Sequence, residues 1–221
     1  SPASAAPVAH GMAATQFVVV RHVETEWNRD GRIQGHMDSP LTSEGITQAQ
    51  ALARRLGEIQ FDLLVSSDLG RASATAAYIA TETKLPVLFD ARLRERNYGI
   101  FQGLTRPEAQ AKFPEAYRRY RDEDVNFAIP GGESTQDAFD RSLGCLEELA
   151  AQRAGQRILV VTHGGVLDGL YRHTTGLPHV GSRVFKMVNG SINGFSYECG
   201  VWRLDFWADV AHLDGKSLDD V

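Results

Sequence analysis

Phe17-Val18-Val19-Val20-Arg21-His22 and Ile158-Leu159-Val160-Val161-Thr162-His163-Gly164-Gly165 are two short apolar runs, each leading into a histidine. Unbroken β-branched runs of this length read as parallel strands covered on both faces, and in open α/β sheets reactive groups collect beyond the carboxyl ends of such strands. Both histidines are therefore expected at one cleft. A two-histidine pocket rich in arginine is a candidate phosphate site in which one imidazole acts as nucleophile.

Working outward, strand and helix signals alternate, which predicts helices packed on a largely parallel sheet. After the first strand comes a loop rich in Gly, Asn and Asp. Thr42 or Ser43 then caps a helix whose apolar stripe runs through Ile46, Ala49, Leu52, Ala53, Leu56 and Ile59. Phe61 to Val65 reads as a second strand, Ser67 or Asp68 as the cap of a helix through Ala72 to Ala80, and Pro86 to Phe89 as a third strand. This βαβαβ order implies right-handed crossovers. Residues 91–133 are less regular, broken by Pro130-Gly131-Gly132, and read as a lid-like insertion over the cleft. A helix from Ser134 to about Gln152 precedes the strand that delivers His163, and Gly165 to Thr174 follows as helix. Val184 to Val188, Ile192 to Tyr197 and Val201 to Phe206 read as closing antiparallel strands.

The chain has 221 residues, 43% hydrophobic and 23% charged, which suits one catalytic domain over 15–215. Ser1 to Ala14 reads as a leader or tag, and Lys216 to Val221 as a loose tail. The net charge of −5 leaves no basic surface for nucleic acid or anionic lipid, so a small anion must be caught by local arginines. No stretch has the roughly 18 uncharged apolar residues of a membrane span, and no secretory signal pattern is visible. Cys145 and Cys199 have no metal-like spacing and read as reduced, structural thiols, which suggests a cytoplasmic setting.

Four blocks carry the chemistry. Arg21-His22-Val23-Glu24-Thr25-Glu26-Trp27-Asn28 continues to Gln34-Gly35 and Gly45; Ser66-Ser67-Asp68-Leu69-Gly70-Arg71 opens the second block; Leu93-Arg94-Glu95-Arg96-Asn97-Tyr98-Gly99 opens the third; Val161-Thr162-His163-Gly164-Gly165 is the fourth. In this order, over roughly residues 16–213, they resemble the histidine phosphatase superfamily, in its phosphoglycerate mutase-like phosphatase branch. Val23 stands where a glycine is commonest there. The resemblance implies a three-layer α/β/α fold with a mostly parallel sheet, phosphoglycerate mutase-like, and a proton donor at Glu95. The chemistry fits those residue types. Phosphoryl transfer spreads charge over three equatorial oxygens, so its catalyst is a positioned nucleophile inside a cage of cationic donors.

His22 is the expected nucleophile, kept neutral by surrounding positive charge, and Glu95 gives a proton to the leaving alkoxide and then takes one from water. Arg21, Arg71 and His163 complete the catalytic set. Asn28, Gln34, Gly35 and Gly164, with Arg21, Arg71 and His163, are candidate substrate contacts. Arg71, in the first turn of its helix, is expected to add backbone donors and the positive helix terminus. Duller readings stand beside these: a surface ion pair for the arginines, a salt bridge for Glu95 among Arg92, Arg94 and Arg96, and a loop cap for Asn28. No carboxylate cluster or paired cysteines call for a metal, so no metal or cofactor is expected.

Three functions stand in order. The first is a metal-independent phosphomonoester hydrolase acting on a small phosphorylated metabolite. The second is a phosphoglycerate mutase, which would need 2,3-bisphosphoglycerate. The third is a non-catalytic phosphate-binding module, disfavoured because none of the five central side chains is missing. A homodimer through the C-terminal edge is compatible with each. Trp202, Phe206 and Trp207 read as core or dimer surface.

Overall fold

A computed structural model describes residues 13–215 and 217–219. The order is β1 (Thr15–Arg21), α1 (Glu26–Asp30), α2 (Ser43–Leu56), β2 (Leu63–Ser66), α3 (Gly70–Thr83), β3 (Val87–Phe89), α4 (Arg106–Lys112), α5 (Pro114–Arg121), α6 (Thr135–Gln152), β4 (Arg157–Thr162), α7 (Gly164–Thr175), β5 (Ile192–Glu198) and β6 (Val201–Asp209). The strands form one sheet in the order β3-β2-β4-β1-β5-β6. The four strands β3, β2, β4 and β1 are parallel, and β5 and β6 close the sheet antiparallel.

Side-chain alternation builds the three layers. Phe17, Val19, Val65, Ile158 and Val160 face α6 and α7, meeting Cys145, Leu146, Val166, Leu167 and Leu170. Val20, Leu64, Leu159 and Val161 face the opposite way, against Leu52 and Leu56 of α2 and Ala72, Ala76 and Ile79 of α3. With apolar side chains buried on both faces, a one-residue slip in register would exchange the two sets, each worth about 1.5–3 kcal/mol for a fully buried Val, Leu or Ile. Residues of 91–133 pack around a separate cluster of Phe101, Ala109, Tyr117 and Ile129, joined by Ile33 from the loop after α1.

Several details differ from the sequence reading. α2 ends at Leu56, and Ile46 and Ile59 are each 37% exposed, because the buried stripe of this helix is carried by Ala49, Leu52, Ala53 and Leu56. Val184 to Val188 is not a strand. Phe185 and Met187 are buried there while Val184 is 84% exposed, so their alternation records burial of a loop rather than sheet pairing. Trp202 is core, its indole N–H donating to Glu147 at 3.1 Å, whereas Phe206 is 42% exposed. Of the tail expected to be loose, Leu218 accepts from the Asn189 amide and Asp219 pairs with Arg183 at 2.9 Å. Lys216, Asp220, Val221 and residues 1–12 of the expected leader lie outside the described residues. No helix among the described residues is long and apolar enough to cross a membrane.

Candidate active site

The register of β1 and β4 creates the site. Arg21 pairs with Thr162, so the next residues, His22 and His163, leave the sheet side by side, and the His22 amide donates to the Thr162 carbonyl at 3.0 Å. Their rings lie 5.3 Å apart, tilted by 56°. Both are buried, as are Arg21 and Arg71. Four basic side chains therefore crowd the carboxyl ends of adjacent parallel strands. This is the cleft expected from the two runs.

A backbone carbonyl fixes which nitrogen of the first imidazole carries a proton. His22 Nδ1 lies 2.8 Å from the Val23 carbonyl oxygen. A carbonyl only accepts, so Nδ1 carries the proton and, in the neutral ring, Nε2 holds the lone pair. Val23 itself is fully buried in the cluster on the α2 and α3 face, which explains how a branched residue fits after the histidine. His163 Nε2 is 2.7 Å from the Ser67 hydroxyl. Burial first, then the charges of Arg71 and the neighbourhood of His22 and Arg21, push its pKa well below the ordinary value, so it stays neutral.

Arg21 donates through Nη1 to the Met187 carbonyl, and Gly164 packs on its guanidinium, where a Cβ would come within 3.3 Å of Nε. Arg71 donates to the Gly35 carbonyl at 2.6 Å, the Met37 carbonyl at 2.7 Å and the Asp38 carboxylate at 2.7 Å. Burial lowers its pKa, against the pull of Asp38. Arg71 Nε and His163 Nδ1 are both buried with no hydrogen-bond partner among the described residues. An unmet buried polar group costs about 1–3 kcal/mol, so these two atoms mark a place for a further hydrogen-bonding group.

The terminus of α3 is a correction. Asp38 accepts from the Gly70 amide at 2.8 Å and from the Arg71 amide at 3.2 Å, so its carboxylate, not a phosphate, meets the positive helix end. Neither Ser67 nor Asp68 caps that helix: the N-cap is Leu69, and Asp68 is engaged by Arg94 at 2.6 Å. The α7 terminus lies closer to the chemistry. There Glu95 accepts from the Gly165 amide at 3.0 Å, while its other oxygen takes the Arg96 amide at 2.8 Å. Glu95 is not in a salt bridge with Arg92, Arg94 or Arg96; these pair with Asp90, with Asp68 and with backbone oxygens and Thr135.

Asn28 and Gln34 serve the loop. Asn28 Oδ1 accepts from the Thr25 amide at 3.1 Å in a capping box at the start of α1, and Gln34 Oε1 accepts from Ser39 at 3.0 Å. Gly35 is needed where it stands, with φ of 55° and Gln102 Oε1 only 2.3 Å from where a Cβ would sit. Beyond Glu95 and Gly165 opens a cavity of about 360 Å³ walled by Tyr98, Tyr120, Phe127 and Phe139, with Arg106 and Asp168 on its lining. Among the described residues, no group of three or more His, Cys, Asp and Glu is arranged to hold a metal. The sequence reading missed Asp38, Ser67 and Asn189, whose Nδ2 donates to the His22 carbonyl at 3.0 Å. Asp38 and Ser67 stand inside the blocks already quoted; Asn189 follows no motif.

The signature of the histidine phosphatase superfamily (branch 1) matches residues 17–210. The chain belongs to the histidine phosphatase superfamily. A metal-independent phosphoserine phosphatase of Arabidopsis thaliana is 42% identical over 207 residues, covering 92% of this chain and 85% of that protein. The probable phosphoglycerate mutase GpmB of Escherichia coli is 36% identical over 211 residues, covering 93% and 98%. Among solved structures, the mycobacterial glucosyl-3-phosphoglycerate phosphatase Rv2419c superposes with a TM-score of 0.76 at 36% identity, covering 88% of this chain and 99% of that one. The paired histidines and the buried arginines of this histidine phosphatase superfamily member all lie within the matched residues.

Proposed function

We propose that this protein is a metal-independent phosphomonoester hydrolase that works through a phosphohistidine on His22. The observation that carries the reading is the juxtaposition of two buried imidazoles, 5.3 Å apart, with buried Arg21 and Arg71 at the carboxyl ends of the central parallel strands. His22 Nε2 attacks phosphorus and the ester oxygen departs, taking a proton from Glu95. Water, giving its proton back to Glu95, then cleaves the P–N bond and releases inorganic phosphate. Arg21, Arg71 and His163 gather the equatorial oxygens, and the unmet Arg71 Nε and His163 Nδ1 are suited to that task. The alcohol occupies the 360 Å³ cavity beyond Glu95, which suits a small metabolite, and residues 91–133 form its lid. The metal-independent relative supports the absence of a cofactor.

Isomerisation is the second reading, on the strength of the mutase-like relative. One assay separates the two. Phosphoserine, 3-phosphoglycerate, glucosyl-3-phosphoglycerate and simple alkyl phosphates are incubated in chelator, with 2-phosphoglycerate followed in the presence of 2,3-bisphosphoglycerate. Free phosphate that disappears in His22→Ala supports the hydrolase; 2-phosphoglycerate with little release supports the mutase. Full turnover by His22→Ala, or a requirement for added divalent metal, overturns the proposed mechanism.

A further inference from the structure

The segment that presents Glu95 has neither strand nor α-helix of its own; it leaves a 3₁₀ turn at Ala91–Leu93 and runs extended toward Tyr98. Its shape is imposed from outside. Arg141, on α6, donates through Nη1 to the carbonyls of Arg92 and Arg94 at 2.9 and 2.8 Å, and through Nη2 to the carbonyl of Glu95 at 2.9 Å. The guanidinium also meets Glu133 as a fork, Nε to Oε2 at 2.9 Å and Nη2 to Oε1 at 2.7 Å. Glu133 Oε1 takes the Asn97 amide at 2.8 Å, and the Glu133 amide donates to the Asn97 carbonyl at 2.9 Å. His36 joins the same cluster, its Nε2 donating to the Glu95 carbonyl at 2.9 Å and standing 3.8 Å from Glu133 Oε1.

One planar group thus ties three carbonyls within four residues to a helix, and its counter-charge ties down Asn97, two residues beyond them. Loop carbonyls this close to the surface are served well by water, so stability alone does not call for such a device. A rigid fork gives direction, which a lysine ammonium cannot reproduce at three acceptors and a carboxylate at once. Although burial pushes the Glu133 carboxyl up, Arg141 and the Asn97 amide outweigh it and hold the group below its ordinary range, so the pair is charged.

We propose that Arg141 and Glu133 are positioning residues that hold the Glu95 carboxyl at the α7 terminus, in reach of the departing ester oxygen. The inference rests on Glu95 being the proton donor. It predicts a defect specific to proton delivery, read best in kcat/KM, which reports transfer of the phosphoryl group to His22. In Arg141→Lys, kcat/KM for an alkyl phosphate is expected to fall roughly ten-fold or more, part of the 10²–10⁴ that positioned proton transfer contributes. For p-nitrophenyl phosphate, whose leaving group needs no proton, it should stay within about three-fold. Glu133→Gln should show the same discrimination, more weakly. Placed on top of Glu95→Gln, Arg141→Lys should cost nothing further on the alkyl ester. An equal fall on both esters, no fall, or an additive loss in the double variant overturns the positioning role. If Arg141→Lys does not fold, as judged by circular dichroism, Glu133→Gln carries the same comparison with the same outcomes. If Glu95→Gln itself fails to discriminate between the esters, the donor assignment falls, and this inference with it. Discrimination by Glu95→Gln but by neither of the other variants sinks the positioning role alone.

Discussion

His22 and His163 have the same side chain and opposite circumstances. One has its Nδ1 proton fixed by a backbone carbonyl; the other is buried against two arginines and resists protonation. That resistance has a cost in acid. A histidine whose folded pKa lies below its unfolded value of about 6.5 stays neutral in the fold while the unfolded chain takes up a proton, so stability falls as pH drops below that value. His36, His179 and His212 are shifted the same way, each mainly by burial. Urea midpoints should therefore decline from pH 6.5 to 5, and His163→Asn should decline less steeply; an unchanged slope would remove His163 from the effect. Such residue-level states were only partly legible in the chain. Arg21, His22, Arg71 and His163 declare themselves by strand-end position and motif, whereas whether Asn28 caps a helix or touches substrate depends on where Thr25 falls in space.

At the scale of elements, two glycines at or near helix starts make opposite demands. A Cβ on Gly165 would land 2.0 Å from Glu95 Oε1, the mobile end of a side chain, whereas a Cβ on Gly45 in α2 would land 2.1 Å from the Glu24 backbone oxygen. Gly165→Ala is expected to keep the melting temperature within a few degrees while lowering alkyl-phosphate turnover, because the carboxylate moves and the fold does not. Gly45→Ala should do the reverse, costing about 1–3 kcal/mol in denaturant unfolding as two backbones are pushed apart. The reverse pattern in either variant would refute the corresponding contact. The periodic helices and β-branched strands could be read from local pattern. The identity of the group that meets each helix terminus could not: Asp38 reaches α3 across 32 residues and Glu95 reaches α7 across 70. Val184 to Val188 misled for a related reason, since alternating burial in a docked loop imitates a strand.

For the whole molecule, order in the sheet differs from order in the chain. β4, which ends in His163, lies between β2 and β1, although β3 and α4 to α6 intervene in sequence before it arrives. Contacts of such long sequence separation slow folding, because loop closure comes before its reward. A fragment ending at residue 156 should lack cooperative urea unfolding; a cooperative transition in that fragment would show that β1 and β2 find another partner. During synthesis on the ribosome the consequence is one of timing. Until the β4 segment leaves the exit tunnel, β1, whose partners β4 and β5 both lie later in the chain, has two unpaired edges and β2 has one, with apolar faces open to other chains, the condition in which nascent proteins associate wrongly or need a chaperone. The same delay keeps the two imidazoles apart until β4 has emerged and paired with β1, so shorter products of translation have no two-histidine cleft at all.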